Sequence, residues 1–268
     1  MKLTILGSGG SEGIPVPFCH CQLCQKGQRR LRTSYHLRIS DDSELLMEAC
    51  PDINIQQLRY NFDFNYLFIS HEHFDHIGGL NDLREAFVGG KMRKIKNRKK
   101  RYILISKKMD RFLSSFTHVG SVGYSYVDLI NNQILSKKIL STWHKKRIKD
   151  FEITLLDFQH GSLIIDGLCI EHKGKSLVYL DDMGRLDKRT EDFIKDKKPD
   201  LVILHTPFIT SQKGGEHAGI EIIKRIKAKK ILISHFSHKC GLLHYKIKNK
   251  VSKYKNVIVA RDRMKINI

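Results

Sequence analysis

The stretch 71–76 (HEHFDH) constrains this chain most, because it places three imidazoles and one carboxylate ligand within six residues. It directly follows an apolar run (YLFIS), which predicts a short buried strand. Alternate side chains of extended backbone point the same way, so His71 and His73 can bind one metal ion. Asp75 and His76 follow where the chain should turn into a helix, and they can bind a second ion. Because imidazole and carboxylate suit Zn, Mn or Fe, the stretch predicts a dinuclear metal site of a hydrolase rather than unrelated surface histidines.

Residues at the ends of later predicted strands supply the further ligands that a dinuclear site needs. His160 ends a predicted strand and can complete the three histidines around the first ion. Asp182 lies where a buried strand meets a glycine turn, so its carboxylate can bridge both ions, although the adjacent Asp181 competes for this role. His235 follows another apolar strand and can complete the second ion. Each of these residues alone is weak evidence, and the prediction rests on the set.

A second, structural metal site is predicted near the start of the chain. Three thiols lie within six residues, at Cys19, Cys21 and Cys24. Thiolates at this spacing can wrap one tetrahedral Zn ion, and a reducing compartment favours such a site over disulfides. The fourth ligand must come from elsewhere, and we expect His238, with His20 and Cys240 as competing candidates. The alternative is that the three cysteines are unrelated.

Composition bounds the class of protein and its surroundings. The 268 residues are 41% hydrophobic, which is enough for one large core, and no apolar run is long enough to predict a membrane helix. The chain starts with a predicted strand rather than a secretory signal, so we expect a cytoplasmic enzyme. The formal net charge is +20, and residues 91–108 contribute ten positive charges and no acid. This basic segment can attract phosphate backbones or anionic substrates, or it can be a solvated loop.

The order of predicted elements indicates an α/β fold in which helices cover sheets. Strands are predicted at 2–6, 35–39, 44–48, 66–70, 102–106, 152–156, 163–170, 176–180, 201–205, 230–234 and 256–259. Helices are predicted at 53–60, 79–87, 187–196 and 217–227. The region 88–150 shows no clean period and contains the basic segment, so we expect an irregular insertion or lid there.

Taken together, the motifs resemble those of a known family. The pattern His-x-His-x-Asp-His resembles the signature of the metallo-β-lactamase superfamily. The cysteine loop, the glycine-rich start at 7–10 and the Pro-Asp pair at 51–52 are similar to the phosphodiesterase branch that PhnP typifies. So are His217 and the pair His235 and His238, the second of which joins the cysteines on Zn in that branch.

This resemblance implies a single-domain α/β fold over 1–268, a metallo-β-lactamase-like αββα sandwich. It implies two divalent ions, Zn or Mn, in the active site and one structural Zn, and it favours Asp182 over Asp181 as the bridging ligand. The implied reaction is hydrolysis of a small cyclic or nucleotide-like phosphodiester by a hydroxide that bridges the two ions. Asp75 is then a catalytic ligand, and His217 contacts the scissile phosphate or protonates the leaving oxygen.

Other functions stay open at this point. An endonuclease similar to ribonuclease Z shares the two-metal core; the positive charge favours it and the cysteine loop argues against it. A biosynthetic protein similar to pyrroloquinoline-quinone B shares the cysteine loop but acts in oxidative chemistry. A non-enzymatic, basic binding module predicts missing ligands, and the sequence has the full set. The expected partner is a small phosphodiester, with nucleic acid as the alternative and no membrane; the resemblance alone implies a homodimer.

Overall fold

Two seven-stranded sheets form the centre of the fold in the computed structural model, which describes residues 1–26, 28–88, 99–208 and 217–268. The first sheet has the order β14-β1-β2-β3-β4-β5-β6, and the second has the order β13-β12-β11-β10-β9-β8-β7. The strands of the first sheet are β1 (Lys2–Gly7), β2 (Ser34–Ser40), β3 (Ser43–Met47), β4 (Tyr66–Phe68), β5 (Arg101–Ser106), β6 (Leu135–Leu140) and β14 (Lys265–Asn267). Those of the second are β7 (Lys145–Ile148), β8 (Phe151–His160), β9 (Leu163–His172), β10 (Lys175–Leu180), β11 (Leu201–His205), β12 (Lys230–Ser234) and β13 (Val257–Val259).

Helices connect the strands and cover the sheets. They are α1 (Gln22–Gln25), α2 (Ile53–Tyr60), α3 (Phe74–Ile77), α4 (Leu80–Phe87), α5 (Lys107–Ser115), α6 (Val122–Asn131), α7 (Lys188–Lys197) and α8 (His244–Val251). Two 3₁₀ helices span Ile220–Arg225 and His238–Cys240. None of the helices in the described ranges is long and apolar enough to cross a membrane.

Strand β3 shows how the sequence buries both faces of the first sheet. Leu45 and Met47 belong to the cluster between the sheets, whereas Leu46 belongs to the cluster beneath the helices. The period of two along an extended strand produces this alternation. Leu83 of α4 and Met109 of α5 pack in the same outer cluster as Leu46. Each fully buried leucine stabilises the fold by about 1.5–3 kcal/mol, so a polar residue at either face would be strongly destabilising. The predicted αββα sandwich is confirmed.

Strand direction determines which strands of the second sheet have their carboxyl ends side by side. Strands β10, β11 and β12 are parallel to one another, and β9 is antiparallel to both β8 and β10. Strand β8 therefore runs in the same direction as β10, β11 and β12. The residues that follow these four strands consequently lie at one edge of the sheet.

Two sequence predictions differ from the observed fold. The region 88–150 is regular where it is described, since it contains β5, α5, α6, β6 and β7, and β5 and β6 are integral strands of the first sheet. The strand predicted at 102–106 matches β5, whereas the expectation of irregular structure is wrong for 107–150; residues 89–98, which include 91–98 of the basic segment, lie outside the described residues. The helix predicted at 217–227 is a shorter 3₁₀ helix at Ile220–Arg225.

Candidate metal centre

The first group of candidate ligands joins the loop after β4 to the ends of β8 and β10. The ligand atoms of His71, His73, His160 and Asp182 all lie within 4.8 Å of one another. The ring centroid of His71 is 4.6 Å from that of His73 and 5.5 Å from that of His160. The three predicted histidines thus converge on one point with a carboxylate beside them, as a divalent ion requires.

The second group lies against the first and shares its carboxylate. The ligand atoms of Asp75, His76 and His235 lie within 4.8 Å of one another. Asp182 Oδ2 is 3.5 Å from His76 Nε2 and 3.8 Å from His71 Nε2, and Asp182 Oδ1 is 3.5 Å from His235 Nε2. The carboxylate of Asp182 therefore faces histidines of both groups, which is the position of a bridging ligand.

The donor atoms of both groups fit divalent cations. Nε2 of His71 and Nε2 of His76 are buried and have no hydrogen-bond partner among the residues that the structure describes. Buried nitrogen atoms without a partner are costly, and coordination of an ion would satisfy them. Burial lowers the pKa of His235 to about 3, which keeps this imidazole in the neutral form that binds metal. Burial acts against ionisation of Asp75, but the adjacent His76 lowers the pKa of this carboxyl to about 2.

Asp181 contacts Nδ1, the other ring nitrogen, of both His71 and His76. Its Oδ2 lies 3.1 Å from His71 Nδ1 and 3.4 Å from His76 Nδ1, and it also accepts a short hydrogen bond from the hydroxyl of Ser70. The hydroxyl of Tyr179 donates to Oδ1 over 3.0 Å. A carboxylate at Nδ1 fixes the tautomer and the orientation of a ligating imidazole, so Asp181 is placed to orient both rings rather than to bridge.

Glu48 supplies a second buried carboxylate behind the site. It is fully buried at φ +67°, in the left-handed region that side chains rarely adopt. The backbone N–H of Ser70 donates to its Oε2 over 3.3 Å, and the same oxygen lies 3.5 Å from His76 Nδ1. Burial, reinforced by the charge of Asp181, raises the pKa of Glu48 to about 7. Glu48 therefore supports the loop that carries His71 and His76.

His205, the last residue of β11, is part of the site, although no role is predicted for it from the sequence. It is fully buried, and its Nδ1 donates to Asp182 Oδ1 over 3.0 Å and lies 2.6 Å from Asp181 Oδ1. Its Nε2 lies 3.0 Å from the hydroxyl of Tyr35. Although burial opposes the charged ring, the two carboxylates raise the pKa of His205 to about 9. The signal was available, because His205 ends an apolar strand as His160 does.

His217 lies beside the first group of ligands. Its ring centroid is 4.7 Å from that of His160 and 6.4 Å from that of His235. The ring of Phe208 lies 6.1 Å away on another side. The structure thus places the one predicted catalytic residue that is not a ligand next to the candidate metal centre.

The predicted thiol site also assembles. The ligand atoms of Cys19, Cys21, Cys24 and His238 lie within 4.8 Å of one another, whereas the competing candidates His20 and Cys240 are outside this group. His238 Nε2 is 3.4 Å from the sulfur of Cys19 and 3.2 Å from that of Cys21. The backbone N–H of Cys24 and the ring of His238 lower the pKa of Cys21 to about 6, which favours the thiolate.

Solved structures of similar fold include a diphosphatase, PqqB and a tRNase Z. A crystal structure of a diphosphatase from the PhnP family aligns with 99% of this chain and 96% of its own, at a TM-score of 0.78 and 22% identity. Zn-bound PqqB from Methylobacterium extorquens aligns with 100% of both chains at a TM-score of 0.80 and 16% identity. The short form of human tRNase Z aligns with 100% of this chain and 99% of its own at a TM-score of 0.65 and 17% identity. At these identities the likeness shows the fold alone.

A curated relative matches a small part of the chain. The octanoyltransferase of Porphyromonas gingivalis (strain ATCC BAA-308 / W83) is 40% identical over 88 residues, which are 31% of this chain and 18% of that protein. The chain therefore spans about a fifth of the length of this relative, and the activity in its name does not extend to this chain.

A family model covers most of the site. The model described as a β-lactamase superfamily domain matches residues 44–236, which include the 71–76 stretch and the strand ends at Asp182 and His235. The match spans more than half of the chain, and with the ligand groups it supports a metal-dependent hydrolase. The chain belongs to the metallo-β-lactamase superfamily.

Proposed function

We propose that this protein is a phosphodiesterase that uses two divalent metal ions, Zn or Mn, on a small cyclic or nucleotide-like phosphodiester. The observation that carries the proposal is the position of Asp182, whose two oxygens face His71 and His76 on one side and His235 on the other. One carboxylate shared by two ligand groups fits a pair of ions a few ångströms apart. Two such ions supply an activated water and offset the charge of phosphate oxygens.

The side chains around the ligands would prepare the site for this reaction. Asp181 holds the rings of His71 and His76 with their Nε2 atoms turned toward Asp182. His205 donates to Asp182 and so holds the bridging carboxylate in place. Because these contacts are buried, the ligands need little reorganisation when the ions bind.

His217 is proposed as the group that protonates the leaving oxygen. It lies beside His160 at the candidate metal centre and belongs to neither ligand group, which is the place that a proton donor to the leaving oxygen would need. An imidazole suits proton transfer near neutral pH. A cleaved phosphodiester needs a proton on the departing oxygen, and poor leaving groups need it most.

The thiol site is proposed to hold one structural Zn. In a tetrahedral site with Zn–S of about 2.3 Å and Zn–N of about 2.0 Å, sulfur and nitrogen ligands are separated by about 3.5 Å. The observed separations of 3.4 Å and 3.2 Å from His238 Nε2 to the sulfurs of Cys19 and Cys21 are close to this value. His238 follows His235 by three residues, so this Zn would tie the N-terminal loop to the loop that carries a candidate active-site ligand.

Hydrolysis of bis-p-nitrophenyl phosphate by Mn- or Zn-loaded protein tests the proposal. Asp75→Ala should abolish activity, because it removes a ligand of the second group, whereas Asp41→Ala, which removes an exposed acid, should leave activity unchanged. Activity in the wild type would justify a panel of cyclic nucleotides, cyclic sugar phosphates, dinucleotides with a diphosphate link and short RNAs. The short RNAs in this panel test the alternative that the substrate is a nucleic acid, which the net charge of +20 favours. Bound metal without hydrolysis of any of these substrates would contradict the proposal.

A further inference from the structure

A polar cavity is lined by residues that belong to neither candidate metal site. It has a volume of about 310 Å³ and is lined by Gln28, Arg29, Arg30, His244, Arg261 and Asp262, with Ser8 and Ala260. None of these lining residues belongs to a ligand group found in the described part of the chain. The cavity therefore needs its own explanation.

Arg30 is the buried charge at this cavity. Only 4% of the residue is exposed, and its Nη2 donates to the carbonyl of Leu242 over 3.1 Å and to Gln28 Oε1 over 3.4 Å. Its Nη1 is buried and has no hydrogen-bond partner within the described ranges, although the Cys240 thiol lies near the guanidinium. A buried charged donor without an acceptor is costly, so an acceptor that is not part of the chain is expected there.

His244 presents a second donor or acceptor to the same cavity. Its Nε2 is buried and lacks a partner among the residues described, while its backbone N–H donates to Gln28 Oε1 over 3.1 Å. Gln28 thus holds both Arg30 and the backbone of His244 in place. Burial and the nearby charges of Arg261 and Lys248 lower the pKa of His244 to about 4, so the ring itself is neutral.

The remaining charges favour an anion as the occupant. Arg29 and Arg261 add two guanidinium groups to the lining. The single acid, Asp262, is already engaged: Oδ1 accepts from the backbone and hydroxyl of Ser8, and Oδ2 accepts from the backbone of Leu31. These hydrogen bonds hold the carboxylate against the backbone. Three arginines and one aspartate give the cavity lining a net positive charge.

We infer that this cavity binds one phosphate group of a small anion, inorganic phosphate or a phosphate monoester, with Arg30 Nη1 and His244 Nε2 as buried hydrogen-bond donors. A guanidinium matches phosphate oxygens in geometry as well as in charge. Arg29 and Arg261 would contribute charge from the rim. The volume is at the lower end of the range for small-molecule sites, about 300–1,000 Å³, which suits a phosphate with a small substituent. This inference is independent of the proposed phosphodiesterase activity.

Calorimetric titration of the Zn-loaded protein with inorganic phosphate, glycerol phosphate, sulfate and acetate tests the inference. Arg30→Gln should weaken phosphate binding by about 10- to 100-fold, since it removes a charged hydrogen-bond donor. Arg261→Gln should weaken it by a smaller factor and keeps the buried core intact, so it decides the question if Arg30→Gln misfolds. Arg38→Gln removes the same charge from an exposed site outside the cavity lining and should bind as the wild type does.

The same titration separates this cavity from the metal centre. Phosphate held at the metal centre would be lost in Asp75→Ala, whereas phosphate held by Arg30 should persist in that variant. Preference for glycerol phosphate over inorganic phosphate would identify a monoester as the ligand. Phosphate binding that is insensitive to Arg30→Gln and Arg261→Gln, or stronger binding of acetate than of phosphate, would overturn the inference.

Discussion

Replacement of Asp181 by asparagine tests whether this residue orients ligands or is itself the bridging ligand. Asp181 Oδ2 faces Nδ1 of His71 at 3.1 Å and Nδ1 of His76 at 3.4 Å, while Asp182 faces Nε2 of both rings. Asparagine keeps the shape of the side chain but removes its charge and turns one oxygen acceptor into a donor. We expect both rings to lose their fixed tautomer and to bind metal more weakly.

The expected loss of metal affinity follows from the contacts that the substitution removes. Removal of a group that supports a metal ligand costs about 10- to 100-fold in metal affinity, which corresponds to about 1.4–2.7 kcal/mol. Asp182→Asn changes the carboxylate that faces histidines of both groups, so its loss of metal affinity should be larger than that of Asp181→Asn and should affect binding at both groups. The thiol site should keep its ion in both variants, because it lies outside these groups.

Metal analysis and competition with a chelator measure the effect, with thermal unfolding of the metal-free proteins as the control for folding. The result that supports the assignment is an intermediate metal affinity in Asp181→Asn with a metal-free melting temperature near that of the wild type. A wild-type affinity in Asp181→Asn would show that the residue does not orient the rings. A loss equal to that of Asp182→Asn, with both active-site ions absent, would show that Asp181 is a ligand.

Further predictions concern the proton donor, the thiol site and a buried acid. His217→Ala should lower hydrolysis of alkyl phosphodiesters by about 10²- to 10⁴-fold and that of p-nitrophenyl esters much less, because p-nitrophenolate leaves without a proton; equal losses would exclude the proton-donor role. Cys21→Ser should lose one Zn per chain and lower the melting temperature, whereas Cys240→Ser should keep the full Zn content, as metal analysis and thermal unfolding can check. Burial raises the pKa of Asp166 from 3.8 to about 6, so its stabilising contribution is present at low pH and is lost as the pH rises through about 6. Between pH 5 and pH 7.5 the wild type should therefore lose about 1–1.5 kcal/mol of unfolding free energy that Asp166→Asn does not lose. Urea titrations of both proteins at the two pH values measure this, and a difference that does not change with pH would refute the raised pKa.

Much of the sheet structure could be predicted from local sequence, because buried strands are short, apolar and rich in β-branched residues. Strand β11 matches its predicted span of 201–205, and β12 matches 230–234. Helices α5 and α6 could not be predicted in this way. The apolar residues of α5 are few and are separated by Asp110 and Arg111, and α6 contains a glycine whose added Cβ would meet the backbone of Phe116 at 2.0 Å. Tertiary packing, rather than helix propensity, determines these two helices.

The candidate ligands could be predicted because they occupy a place that sequence reveals, the end of an apolar strand. His160 ends β8, and His235 directly follows β12. His205 ends β11 in the same way, so its position indicates a place at the site but not whether its ring faces a metal ion or holds a carboxylate. That distinction depends on which ring nitrogen faces the site, and only the packed structure determines it.

The pair Asp181 and Asp182 shows why spacing alone could not predict which carboxylate faces which ring nitrogen. Both follow β10 directly, and adjacent residues of extended backbone point to opposite sides. The two carboxylates therefore approach the rings of His71 and His76 from opposite edges, Asp181 at Nδ1 and Asp182 at Nε2. A one-residue shift of β10 would exchange these positions, so the parallel register of Leu180 with Leu204 helps to select which carboxylate faces the Nε2 atoms of both rings.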